Sequence, residues 1–410
     1  MEGLLVQAGL PRRSRPSPGL GAVPGGAILD TVPPMLTDLR ADFHDWDGVI
    51  YLNCATQGPM PRVATAAVEA ALDLKRAPHR IRDEDYFLYP DRYRQAVAGL
   101  LGALPEEVAV TDSTTAGLML LVNGLDWAAG DEVVIPEGTF PANRFPWYSL
   151  ARRGVRVVAV PELPDGREVE RYAAALSPRT RVVSVGWVSY SSGLRYDLAG
   201  LGELCRERGI LFAVDATQGV GGIDFDLGRT PCDLLACSGY KWMLGPYGLS
   251  FAWLQPALTE RLVPGNVNWM AVRGAEDFNR LADCDLELVP GARRFDRNEA
   301  ASFLDTAGAT AAALYLAAVT PRAIEAHVRA LLDRLVAGLP AGFRVVSALE
   351  PERRSNLLSI AAATPEATRT AFDRLTAAGV RPSLRERAIR FSPHVYNTEE
   401  EIDRVLERLE

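Results

Sequence analysis

Lysine is nearly absent from this 410-residue chain: Lys75 and Lys241 stand against 42 arginines. Arginine serves wherever a solvated positive charge is enough, but it cannot be deprotonated near neutral pH to act as an amine nucleophile. A lysine retained in so arginine-biased a chain is therefore a candidate for Schiff-base chemistry, with genomic base composition as the competing explanation. Histidine and cysteine are scarce too. The four histidines (His44, His79, His327, His394) show no H-x-x-x-H spacing and the five cysteines form no C-x-x-C pair, so no metal site is expected. The odd, scattered cysteine set argues against a disulfide framework and fits a reduced, cytoplasmic setting. Long apolar runs are missing as well. The longest small-apolar stretch, Ala307 to Val319, falls short of the roughly 20 residues that cross a bilayer, so no membrane segment is expected. Positive charge is not in excess: the net charge is -8, whereas a phosphate-backbone binder needs a basic face, and nucleic acid is not an expected partner.

What is present is apolar material, 48% of residues, enough for a large core in two or three structural units. Residues 1–30 are rich in proline and glycine and read as a disordered tail. From 105 to 255, short β-branched runs alternate with helical patterns: Val108–Thr111, Glu132–Pro136, Val155–Val160, Arg181–Trp187, Leu211–Val214, Leu234–Cys237 and Leu249–Trp253. Such alternation predicts an α/β layer around a mostly parallel sheet, with ligands collecting at the carboxyl ends of its strands. Runs such as Val182-Val183-Ser184-Val185 suggest strands covered on both faces. Further on come helices near 305–319, 322–337 and 366–378, strands at Phe343–Val346 and Leu357–Ile360, and a last helix opened by the capping box Thr398-Glu399-Glu400-Glu401. The expected organisation is a large domain over 31–310, including an N-terminal arm, and a small α+β C-terminal domain over 311–410.

Chemistry gathers around Lys241. Asp215 ends one strand pattern and Lys241 follows the next, 26 residues later, which brings an acid and an amine to one crevice. Taken alone, Asp215 reads equally as a helix cap or a salt-bridge partner. The two together suit pyridoxal phosphate, whose aldehyde needs a lysine imine and whose ring nitrogen needs a carboxylate. Ser113-Thr114-Thr115-Ala116-Gly117 follows a strand and opens an apolar helix, which makes either an anion site for the phosphate or an ordinary N-cap. Ser238 and Tyr240 flank Lys241 and can add hydrogen bonds. Gly219-Val220-Gly221-Gly222 lacks the third glycine of a dinucleotide fingerprint and reads as a turn.

From Tyr51 to Leu409 the chain resembles the class V aminotransferase and cysteine-desulfurase-like group of fold-type I pyridoxal-phosphate enzymes. The resemblance rests on Val214-Asp215-Ala216-Thr217-Gln218, Ser238-Gly239-Tyr240-Lys241 and Gly245-Pro246-Tyr247-Gly248. Tyr51-Leu52-Asn53, Gly58-Pro59, Thr114-Thr115, Val188-Ser189-Tyr190-Ser191-Ser192-Gly193 and Arg390-Phe391-Ser392 add to it in the same order. The resemblance implies that Lys241 forms the Schiff base, Asp215 pairs with the pyridine nitrogen and Gln218 reaches the ring hydroxyl. It also implies that Thr114, Thr115 and Ser238 hold the phosphate, Phe140 stacks on the ring unless it is a core residue, and Arg390 holds the substrate α-carboxylate. Asn53, Tyr190, Arg195 and His394 are candidates for the substrate pocket. A homodimer is implied, with Pro264-Gly265-Asn266-Val267-Asn268-Trp269 expected to reach the neighbouring subunit's phosphate.

Desulfurases of this group carry a nucleophilic cysteine before the carboxylate-binding arginine. Gly379 to Ile389 contains none, and Tyr240 stands where they commonly have histidine, so persulfide chemistry is not expected. The expected activity is an enzyme acting on an α-amino acid or its conjugate, with aminotransferase chemistry placed ahead of a C–S or C–C lyase or an epimerase. A non-catalytic cofactor-binding module is the alternative of another class.

Overall fold

The computed structural model describes residues 36–284 and 286–410, so the tail expected over 1–30 lies outside the described residues. Seven strands form the main sheet: β1 (Val108–Thr111), β2 (Glu132–Pro136), β3 (Arg156–Val160), β4 (Thr180–Gly186), β5 (Leu211–Asp215), β6 (Leu234–Ser238) and β7 (Ser250–Leu254). Their order is β1-β7-β6-β5-β4-β2-β3, and every pairing is parallel except those of β7 with β6 and β1. Because β7 runs against both neighbours, β1 and β6 point the same way. The carboxyl ends of β1, β2, β4, β5 and β6 therefore share one edge, where ligands collect in open α/β sheets.

Both faces of the sheet are covered, which is why its strands are continuously apolar. Alternate residues enter opposite cores: Val183, Val185, Phe212, Val214 and Leu235 on one side, Val182, Leu211, Ala213 and Leu234 on the other. Helix α1 (Thr114–Gly124) lies in the second layer. Gly117 lets it approach the sheet, since a Cβ there would sit 2.7 Å from the Ala236 Cβ.

A four-stranded antiparallel sheet follows in the C-terminal part: β8 (Phe343–Val345), β9 (Leu358–Ala362), β10 (Ser383–Arg385) and β11 (Ala388–Phe391), in the order β10-β11-β9-β8. Helix α2 (Phe303–Val319) spans the expected division at 310 and is followed by α3 (Pro321–Ala337). The N-terminal segment docks on the C-terminal part. Ile50–Tyr51 pairs in parallel with Val380–Arg381, and Asn53 bridges to Ser392. The final helix, α4 (Glu399–Leu409), has the expected capping box: Glu401 N–H donates to Thr398 Oγ1, and Thr398 N–H to Glu401 Oε2. It buries Ile402, Val405 and Leu409. Among the described residues no single helix is long and apolar enough to cross a membrane.

Candidate active site

Loops from the shared strand edge surround a cleft of about 810 Å³. Thr114, Thr115, Phe140, Tyr190, Asp215, Gln218, Ser238, Tyr240 and Lys241 all line it, whereas the expected substrate residues Asn53 and Arg390 do not; Arg390 reaches it through the backbone of Tyr190. Lys241 lies in a turn three residues past β6 and is 6% exposed. Burial pulls its pKa from the ordinary 10.5 down to about 8, with Asp215 opposing the fall and Arg390 adding to it. Its Nζ is 5.1 Å from the Phe140 ring centre and 5.7 Å from that of Tyr240.

Asp215 closes β5, one strand from β6. Its Oδ1 accepts from the Thr217 N–H at 3.0 Å, a turn closure instead of the helix cap considered from sequence. Burial raises its pKa, while the Thr217 hydrogen bonds and Lys241 work against the rise. Three hydroxyls meet beside it: Thr114 Oγ1 lies 2.5 Å from Thr217 Oγ1 and 2.8 Å from Ser238 Oγ. Ser113 caps α1 through the Ala116 N–H. The N-cap reading of this segment therefore holds, and the cap leaves other first-turn N–H groups without an intrahelical partner, as an anion site would require.

Gln218 is fixed at both ends, donating to Ala55 O at 3.0 Å and accepting from Trp242 Nε1 at 2.8 Å, so one amide hydrogen remains. Phe140 is 40% exposed and edge-on to Tyr190 at 5.2 Å, which makes it a cleft wall and not a core residue. Tyr240 packs on Tyr247 at 4.5 Å. The Lys241 turn is held from behind by the Gly58 N–H, which donates to Tyr240 O at 2.9 Å. Only glycine fits there, since a Cβ would meet Lys241 O at 2.0 Å.

Arg390, on β11, is 1% exposed. Its Nε donates to Ser383 Oγ at 3.1 Å, Nη2 to Thr56 Oγ1 at 3.1 Å and Nη1 to Tyr190 O. Burial, and after it the nearby Arg385, lower its pKa to about 10. Asn53 keeps Oδ1 buried without a partner.

Two pocket candidates are corrected. Arg195 pairs with Glu325 at 3.1 Å, away from the cleft. His394 is fully buried, stacked on Tyr396 with ring centres 5.8 Å apart, and burial lowers its pKa to about 3. In both cases long-range packing, and not the flanking residues, decides where the side chain goes. Thr217, Thr56 and Arg385 carry no role in the sequence reading. Thr217 was findable, two residues past Asp215; nothing local marks the other two.

Pyridoxal phosphate can be tested against this geometry. A buried carboxylate without a full counter-charge, an amine of lowered basicity, a hydroxyl trio at a helix N-terminus and an aromatic face enclose one space. The residues present fit the group.

An α/β scaffold that sets a buried lysine one strand from a buried aspartate has the arrangement that a lysine-based cofactor site requires. The Aminotransferase class-V family model matches residues 50–405, and the chain belongs to that family of pyridoxal-phosphate-dependent enzymes. It is 32% identical over 388 residues to an isopenicillin N epimerase of Streptomyces clavuligerus, covering 88% of this chain and 94% of the relative. A probable cysteine desulfurase of Methanothermobacter thermautotrophicus is 28% identical, covering 77% and 82%. Among solved structures, the cystine C–S lyase C-DES in complex with cysteine persulfide superposes with a TM-score of 0.80 at 24% identity, over 88% of this chain and 97% of that one. A cysteine desulfurase from Thermococcus onnurineus gives 0.78 at 20%, over 90% and 96%. These likenesses support the fold-type I architecture read from sequence.

Proposed function

We propose that this chain uses pyridoxal phosphate to remove and return the Cα proton of an α-amino acid or amino-acid conjugate, with epimerisation as the net result. The observation that carries the site is the buried Lys241 amine, its pKa near 8, one strand from the buried Asp215. Epimerisation is favoured by likeness to two isopenicillin N epimerases, 32% and 29% identical over 94% of each relative. Amino transfer, first in order from sequence, begins with the same proton removal; the family description keeps it as the second reading.

Bound here, pyridoxal phosphate supplies an electron sink for bond breaking at Cα. Asp215, destabilised as an anion by burial, gains from a cationic ring N–H. Thr114, Thr115 and Ser238, joined by Thr217, hold the phosphate at the α1 N-terminus. Gln218 offers its remaining amide hydrogen to the ring hydroxyl, and Phe140 offers its face. Arg390 takes the substrate α-carboxylate when one of its present acceptors gives way, fixing Cα near Lys241. Neutral Lys241 accepts the Cα proton and, as ammonium, returns it. Tyr190 and Tyr240 line the same cleft with pKa values raised chiefly by burial, so their phenols stay protonated, and inversion would need such a second donor to deliver the proton to the face Lys241 does not serve.

Exposed Phe145 and Tyr247 at the cleft, with exposed Val263 and Val267 at the Pro264–Trp269 loop, favour pairing of two copies over these apolar side chains. Sedimentation at micromolar concentration tests this, and a monomer refutes it.

The decisive experiment incubates cofactor-loaded protein with amino acids and their conjugates in deuterium oxide. Deuterium at Cα with both enantiomers and no keto acid supports epimerisation. Keto acid with pyridoxamine phosphate assigns amino transfer, and ammonia with an eliminated fragment assigns a lyase. No spectral response to any amine leaves a binding module without turnover.

A further inference from the structure

We propose that Arg385 and Arg390 together read two anionic groups, so that the preferred substrate is an α-amino acid bearing a second carboxylate; this rests on the Cα chemistry proposed above. The two arginines come from β10 and β11, the strands of one hairpin. Their guanidinium groups converge on a single hydroxyl: Nη2 of Arg390 and Nη2 of Arg385 donate to Thr56 Oγ1 at 3.1 and 3.3 Å. Every other acceptor they use is neutral as well. Arg390 donates to Ser383 Oγ and Tyr190 O, and Arg385 to Leu384 O.

Among the described residues neither arginine has an ion pair, although Arg94, Arg334 and Arg353 elsewhere hold carboxylates at 2.6 to 2.7 Å. The acid nearest in sequence, Glu386, instead accepts from the Tyr190 hydroxyl at 3.3 Å. Two unneutralised guanidinium groups thus stand close together, and both disfavour the charged form of Lys241. Like charges at this separation repel, and an arriving anion relieves the repulsion.

Depth separates their tasks. Arg390 is fully buried and touches the backbone of Tyr190, a cleft residue, whereas Arg385 is half-buried beside the exposed Thr56. One carboxylate at the inner cation leaves the outer one unanswered. A substrate with a second carboxylate farther from Cα neutralises both.

The test titrates the cofactor spectrum of the full-length, cofactor-loaded protein with matched pairs: glutamate against glutamine, and aspartate against asparagine. The acidic member of at least one pair is expected to bind about tenfold tighter, as a charge-assisted contact gives in a partly solvated site. Arg385→Gln removes that preference while leaving the amide's affinity within about twofold, and Arg385→Lys retains part of it. Equal weakening of acid and amide by Arg385→Gln, or no acidic preference in the wild type, overturns the inference alone. The wild-type comparison decides the matter even where a variant fails to fold. No response to any amino acid overturns the Cα chemistry and this inference with it.

Discussion

Replacing Lys241 with methionine is expected to stabilise the cofactor-free protein at neutral pH, and to do so less as the pH rises. Unfolded, the lysine keeps its proton up to about pH 10.5; folded, only up to about pH 8. Between those values the unfolded chain binds more protons, so wild-type stability climbs with pH across the window and carries its full deficit below pH 8. A displacement from 10.5 to about 8 corresponds to about 3 kcal/mol at roughly 1.4 kcal/mol per unit. Methionine has similar length and no charge and escapes this deficit. Its variant should exceed the wild type by about 3 kcal/mol at pH 7 and by less than about 1 kcal/mol at pH 10. Urea denaturation of both cofactor-free proteins at pH 7, 8.5 and 10 measures the gap. Repeating the pair with Asp215→Asn removes the carboxylate whose own burial is costly. A gap that is absent at pH 7, or that does not change with pH, means a solvated amine and refutes the reasoning. The same depression leaves about one amine in ten neutral at pH 7, against fewer than about one in a thousand for an ordinary lysine.

The hydroxyl trio is tested by Thr114→Ala, expected to weaken pyridoxal phosphate retention about fivefold to tenfold in dialysis and fluorescence titration; unchanged retention removes Thr114 from the cofactor's holders. Gly58→Ala places a methyl group 2.0 Å from Lys241 O, and a loss of several kcal/mol in thermal or urea unfolding is expected; wild-type stability would show that the turn yields freely. Asp296 accepts both guanidinium arms of the buried Arg94 and the Val110 N–H. Asp296→Ala should therefore cost about 3–5 kcal/mol in urea unfolding, and a loss below 1 kcal/mol would indicate that water replaces the pair.

Much of the scaffold was legible because its causes are local. Alternation between β-branched runs and helical periods located the seven strands of the main sheet to within a residue or two. The capping box at Thr398 worked because its partners are three residues apart. Local signals failed where burial depends on distant chain. His394 lies between Trp242 and Tyr396, and Arg195, in a β-bridge, meets Glu325 on α3. Neither neighbour can be inferred from the residues on either side.

The sequence by itself determined which groups the site could contain: one lysine where arginine would not serve, an acid a strand away, hydroxyls before an apolar helix and no cysteine in the loop before Arg390. Their relation to one another was decided by tertiary structure. The parallel pairing of β5 with β6 sets Asp215 beside the turn that carries Lys241, and β7 reverses the chain so that β1 brings Thr114 to the same edge. Thr56 receives Arg385 and Arg390 from more than three hundred residues away. The physical reason is that propensity, capping and periodicity act over a few residues. Basicity, neutralisation and access are set by whatever the folded chain places within a few ångströms, and the low polarity of that interior turns Lys241 from a surface charge into a reactive amine.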